Sequence, residues 1–310
     1  MNKTIVLITI DTEFSTHKDD LGIFGRINGK EYGLPHLVQL LDQYGLKGTF
    51  FVDVYTDKKP YVKNLIDLGR TMKNVGHDLE LHTHPNGLFD PRRGSMQDYT
   101  LSEQIEIIKQ GKKIFREWFG HDPIAHRAGD WGANEDTLKA LIENGITLDS
   151  SMFYGWDSCR LNWNLPTKNR LVVYNSLLEV PASVFHCRGL GLFSPFRLLS
   201  TDGNSLEETL DVLKQFQLHQ IPVVTVVYHS FSFLRWNKER TEYRVDFNRL
   251  RKFEDFMKFL AREHSLKVLT VEELYASWSK NKDRFTAPED FIPQTGIKKT
   301  LRRLWEKVTL

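Results

Sequence analysis

The feature that most constrains this chain is a repeated alternation. Short apolar runs rich in β-branched residues are each followed by a longer stretch with apolar residues at helical spacing. Such alternation builds βα units around a parallel sheet. Residues 5–10 predict the first strand. Leu34, Leu37, Val38, Leu40 and Leu41 then predict a helix, with Gly45 as its C-terminal cap. Residues 49–52 and 77–81 predict further strands, with a helix over 61–72 between them. Capping boxes mark three later helix starts: Thr100 with Glu103, Ser205 with Glu208, and Thr270 with Glu273. Residues 222–228 read as a strand buried on both faces, and residues 247–260 as a helix.

A chain of 310 residues holds one large domain or two small ones, and an α/β barrel would use most of it as one. The composition shifts near Lys280. From there to Pro293 the chain is polar and contains proline, which predicts a linker or an irregular wrap. In residues 297–310, Ile297, Leu301, Leu304, Trp305 and Val308 share one helical face, and Lys298, Lys299, Arg302, Arg303 and Lys307 decorate the rest. That basic amphipathic pattern suits an anionic membrane surface, or a helix docked on the barrel or on a partner subunit.

Charge and cysteine content exclude several classes. With 42 basic and 40 acidic residues, the chain carries no global field for nucleic acid. The apolar run at residues 4–10 leads into Asp11-Thr-Glu13 rather than a small-residue cleavage site, so it reads as a buried strand and not a signal peptide. No apolar stretch approaches about 18 residues, so no membrane span is predicted and a cytoplasmic location is expected. Cys159 and Cys187 are the only cysteines and form no CxxC, which excludes a thiolate zinc site and a disulfide framework. Two buried free thiols are expected, a single bridge being the alternative.

The chemistry gathers at strand ends, where α/β folds bind ligands. Asp11 and Glu13 follow the first strand and, at i and i+2, point the same way. His82 and His84 repeat that spacing after the third strand. Imidazole and carboxylate together suit zinc, and also cobalt, nickel or manganese. His229 ends the strand 222–228. Arg127 is placed to hold a catalytic aspartate ionised. Among 7 tryptophans, Trp131, Trp156 and Trp236 are candidate sugar-facing rings.

These residues, in this order, resemble a polysaccharide deacetylase of the NodB-homology type, carbohydrate esterase family four. Thr9-Ile-Asp11-Thr-Glu13 corresponds to the family's Thr-Phe-Asp-Asp-Gly. Residues 33–52 match its first helix and second strand, and Gly76-His-Asp78 its Gly-His-Glu. Residues 133–145 match the helix after its third motif, His229 its late Leu-x-His, and residues 266–274 its terminal strand and helix. The second motif departs from the usual His-Thr-x-x-His. Either His84 substitutes from a shortened loop, or one histidine alone binds metal. Asp149-Ser-Ser151 and Trp156 lie near the place of the fourth motif.

The resemblance implies a distorted (β/α)7-type barrel over residues 1–278 as a single catalytic domain, with residues 279–310 as linker and C-terminal helix. It implies that Glu13, His82 and His84 hold a divalent metal, zinc first, that Asp11 is the general base oriented by Arg127, and that His229 protonates the leaving amine. The substrate would be an N-acetylated sugar, possibly lipid-linked, in surface polysaccharide or glycolipid biosynthesis. A zinc-dependent glycosidase on a related barrel and a non-catalytic sugar-binding relative are the alternatives.

Overall fold

The computed structural model describes residues 3–13, 21–56, 61–165, 167–187, 196–237 and 242–296. The amphipathic pattern at 297–310 lies outside the described residues. In chain order the elements that build the barrel are β1 (Thr4–Thr12), α1 (Leu34–Gln43), β2 (Thr49–Asp53), α2 (Val62–Asn74), β3 (Asp78–Thr83), α3 (Leu101–Phe119), β4 (Ala125–Ala128), α4 (Glu135–Glu143), β5 (Leu148–Asp149), β6 (Val172–Tyr174) and β7 (Leu177–Glu179). They continue with β8 (Val184–Cys187), β9 (Phe196–Leu198), α5 (Leu206–Leu218), β10 (Val223–His229), β11 (Leu234–Trp236), β12 (Tyr243–Val245), α6 (Phe247–Arg262), β13 (Leu266–Leu269), α7 (Val271–Lys280) and β14 (Gln294–Thr295).

The main sheet runs β10-β1-β2-β3-β4-β5-β7-β6, with β13 also against β1. Every pairing is parallel except β6 with β7. The sheet curls into a half-barrel. Its outer edge at β10 meets single backbone groups rather than a strand. The Ser183 N–H donates to the Thr225 carbonyl at 3.2 Å, and the Val227 N–H to the Leu199 carbonyl at 3.1 Å.

Strand parity sorts the core into two packed groups. Ile5 and Leu7 of β1 join Phe51, Ala125, Leu148 and Val223 inside the curl, closed at one end by Leu274 and Trp278 of α7. Val6, Ile8 and Ile10 pack with the surrounding helices instead. Asp11 shares the parity of Ile5 and Leu7. Arg127 shares that of Ala125, and His229 that of Val223. The polar strand ends are therefore aimed where the apolar interior stops.

Two of the three predicted capping boxes form in full. Thr100 with Glu103 and Thr270 with Glu273 each form the reciprocal capping box. At α5, Ser205 accepts from the Glu208 N–H. The Glu208 carboxylate instead accepts from the Thr295 hydroxyl at 2.9 Å. Thr295 belongs to the tail, which returns to the barrel: Phe285 is buried beside Trp278, and β14 pairs with β8. The proline-containing stretch after Lys280 is thus an irregular wrap. Cys159 is buried and Cys187 half-buried, both as free thiols. Among the described residues no helix is long and apolar enough to cross a membrane.

Candidate active site

Parallel pairing brings the chemistry to one rim. Asp11 stands in register with His229 of β10 and Phe51 of β2. His82 stands between Asp53 of β2 and Arg127 of β4. Asp11, Glu13, His82, Trp131, Trp156 and His229 all line one cavity of about 410 Å³.

Arg127 is the anchor beneath this floor. It is fully buried, and its Nη1 donates to Asp11 Oδ1 at 2.6 Å. Nε donates to the Ser150 carbonyl at 3.1 Å and Nη2 to Ser150 Oγ at 3.0 Å. The guanidinium lies 4.2 Å from the Phe51 ring centroid and 5.2 Å from that of Trp131. A planar fork held on this many sides fixes the orientation of its carboxylate partner. Only one Asp11 oxygen is engaged by Arg127, and the residue lines the cavity.

Glu13, His82 and His84 converge, with one ligand atom from each lying within 4.8 Å of the others. His82 Nδ1 lies 2.9 Å from the Arg127 carbonyl oxygen. A carbonyl only accepts, so Nδ1 carries the hydrogen, and in the neutral ring Nε2 carries a lone pair. That lone pair faces Glu13 Oε2 at 3.3 Å, and His84 Nε2 meets the same oxygen. Two acceptors face one another only when a proton or a cation lies between them. A histidine that gives its other N–H to a carbonyl is the usual arrangement around a bound metal. The donor set and its spacing fit a divalent ion such as zinc.

Without an ion, charge pairing between Glu13 and His84 holds the cluster together. Burial opposes ionisation of Glu13, yet the charge of His84 and the close approach of His82 and His84, with a lesser pull from His229, hold its carboxyl well below the usual range. Burial likewise opposes protonation of His84, but Glu13, Asp53 and Asp130 push it up to about 10. His229 also lines the cavity, its Nε2 3.8 Å from Glu13 Oε1.

The three tryptophans take different places. Trp131 is a buried wall, edge-on to Phe153 at 5.5 Å. Trp156 lies at the mouth, 42% exposed and stacked on Phe153 at 5.2 Å and 5°. Trp236 stands apart from the cavity lining, on the β11–β12 hairpin with its ring 5.0 Å from that of Tyr243.

Sequence reasoning placed Ser150 only near a fourth motif, without a role, and missed three further groups. Ser150 holds Arg127. Asp53 is a buried carboxyl beside His82, raised in pKa chiefly by burial against the pull of the histidines. Ser95 and Asp130 line the cavity. The Gly-Asp-Trp-Gly stretch at 129–132 carries a turn signal that would have pointed to the last of these.

Residues 19–148 match the profile of the family described as polysaccharide deacetylase. His82, His84 and Arg127 fall inside that stretch, and Asp11, Glu13 and His229 outside it. A Mycobacterium smegmatis structure described as a polysaccharide deacetylase aligns with TM-score 0.59 at 18% identity, over 95% of this chain and 96% of that one. The Puue allantoinase aligns with TM-score 0.57 at 12% identity, over 90% and 91%. The 4-alpha-glucanotransferase of Thermococcus litoralis aligns with TM-score 0.57 at 12% identity, over 89% of this chain and 40% of that one. At these identities the likeness is one of fold, and the fold serves different reactions. No curated protein matches the chain at comparable significance.

Proposed function

We propose that this chain is a polysaccharide deacetylase of the NodB-homology type, hydrolysing the amide bond of N-acetylated sugars with a divalent metal held by Glu13, His82 and His84. The observation that carries this reading is the convergence of those three side chains beside an aspartate pinned by a buried arginine. When bound, the metal supplies Lewis acidity for the amide carbonyl and acidifies a water.

The remaining work falls to side chains. Asp11 takes the water's proton on the carboxylate oxygen that Arg127 leaves free. Arg127 holds Asp11 by its Oδ1 and stops it from turning away. His229, across the cavity rim, gives a proton from its ring to the departing amine nitrogen. Trp156 offers an exposed, rigid face for a sugar ring. The products are a carboxylic acid, acetate for an N-acetyl group, and a free amino sugar. Synthesis of a surface polysaccharide or glycolipid is the setting such a product suits. A glycosidase needs one carboxyl held protonated near the anomeric carbon. Asp11 is paired with Arg127, and Glu13, just beyond β1, is held well below the usual range by histidines, so neither suits that part.

The test is acetate release from N-acetylglucosamine oligomers by the zinc- or cobalt-loaded protein. Chelation should abolish it. Asp11→Asn should keep the metal and lose at least about a hundredfold in turnover. Full activity in that variant would exclude Asp11 as the base.

A further inference from the structure

The turn Gly129–Trp131 crosses the cavity wall and carries there a carboxylate that the hydrolytic scheme does not use. Asp130 (φ +52°, ψ +16°) and Trp131 (φ +58°) are consecutive non-glycine residues in the left-handed region. Such residues persist only where the surroundings enforce them, and they gather at ligand clamps. Trp131 has an evident return, since its ring packs on Phe153 and near the Arg127 guanidinium. Asp130 has none. It is exposed, and neither a hydrogen bond nor an ion pair ties its carboxylate to any described residue.

The turn is nevertheless wedged in place. A Cβ on Gly129 would fall 2.4 Å from Cε1 of His84, and one on Gly132 would fall 2.3 Å from Cβ of Ser95. The Gly132 carbonyl accepts from the Gln97 N–H at 2.9 Å. The backbone is thus strained and clamped so that a carboxylate without a hydrogen-bond or ion-pair partner lines the cavity.

We propose that Asp130 is a specificity-determining residue: its two oxygens accept hydroxyl hydrogens of the sugar that rests on Trp156, so the substrate is an uncharged N-acyl sugar. This rests on the deacetylase reading above. A carboxylate only accepts, and a sugar ring presents adjacent hydroxyl donors that match its two oxygens. The other anions of the cavity are already balanced, Asp11 by Arg127 and Glu13 by histidines. Asp130 alone among them has no hydrogen-bond or ion-pair partner, so a carboxylate or phosphate on the substrate beside it would meet like charge and find no donor there.

The experiment compares the zinc-loaded wild type with Asp130→Asn and Asp130→Ala. The probes are an N-acetylglucosamine trisaccharide and an N-acetylmuramic acid-containing saccharide, which bears a carboxylate. Turnover is followed by acetate release, and binding by tryptophan fluorescence. Both variants should raise KM and Kd for the neutral sugar about tenfold, with kcat within about twofold and zinc content unchanged. The preference for neutral over anionic sugar should shrink by about tenfold. Unchanged KM and Kd, an unchanged preference, or a loss confined to kcat would overturn the assignment of Asp130. A wild type that binds the trisaccharide in an Asp130-dependent way without releasing acetate overturns the deacetylase reading and leaves Asp130 as a sugar ligand. A wild type that neither binds nor hydrolyses the neutral sugar overturns both.

Discussion

The Ser230 hydroxyl donates to the Glu13 carbonyl oxygen at 3.1 Å, tying the segment of the proposed metal ligand Glu13 to the turn after His229. The N–H of the same serine donates to the Asp11 carbonyl at 2.9 Å, and Ser230 is fully buried. Glu13 lies one residue beyond the end of β1, where ladder bonds no longer fix it. Ser230→Ala removes that tether and leaves a buried carbonyl without its donor, a loss of about 1–3 kcal/mol. Zinc affinity, measured by competition with a chromophoric chelator, should weaken about tenfold. Ser230→Thr should restore most of it. Equal affinity in wild type and Ser230→Ala would show that Glu13 is positioned without the tether.

Arg127 and Asp11 form an ion pair with almost no solvent on either side. Removing one partner strands the other as a buried charge. Arg127→Met should therefore cost about 3–5 kcal/mol of stability, seen as a lower urea midpoint. Adding Asp11→Asn to that variant should recover at least about 1 kcal/mol, since the stranded charge is gone. If the two losses simply added, the pair would not be coupled as its 2.6 Å contact implies.

What the sequence disclosed was what local chemistry encodes. The β-branched run at 5–10 and the strand-end rule placed Asp11, Glu13 and His229 toward one rim, and parity aims Asp11 and His229 inward. The boxes at Thr100 and Thr270 formed because every participant lies within four residues. The box at Ser205 formed only in half, because Thr295, distant in sequence, takes the Glu208 carboxylate. Groups that act at long range carried no comparable signal. Ser150 sits on no periodic pattern, yet two of its atoms hold Arg127. The closing contacts of Ser183 and Leu199 are single backbone bonds to β10. Tryptophans announce mass and not direction. Trp156 and Trp236 looked alike in sequence, and only the stacking on Phe153 and the hairpin partner Tyr243 separate them.

Gly129 is demanded by packing rather than by its own backbone. An added Cβ would overlap the His84 ring at 2.4 Å to Cε1 and 2.6 Å to both nitrogens. Gly129→Ala should push that ring off its present line to Glu13 and weaken zinc binding by about 10- to 100-fold, the range seen when the support of a ligand is lost. Global stability should fall much less. Gly94→Ala, where the nearest atom would be 4.0 Å away, is the control and should leave zinc affinity unchanged. Loss of zinc in both variants, or in neither, would contradict the packing argument.

His77 sets a pH dependence that has nothing to do with the active site. It is buried just before β3, its Nδ1 accepts from the Gly48 N–H at 3.1 Å, and its ring meets Phe50 edge-on at 5.4 Å. Burial, aided by the charge of Lys47, lowers its pKa from 6.5 to about 4, although Asp42 pulls the other way. In the unfolded chain this ring takes a proton near 6.5. In the folded chain it does so only near 4. Between those values the unfolded state binds more protons, so this part of the stability is complete above about pH 6.5 and is lost as the pH falls toward 4. Its size is about 3 kcal/mol at most. His77→Asn keeps a hydrogen-bond acceptor and removes the titration. Urea unfolding of the wild type and this variant at pH 7.5, 6.0 and 4.5 should show the wild type's advantage shrinking as acid is added. A gap between the two that stays constant with pH would mean that His77 is not held neutral by the fold.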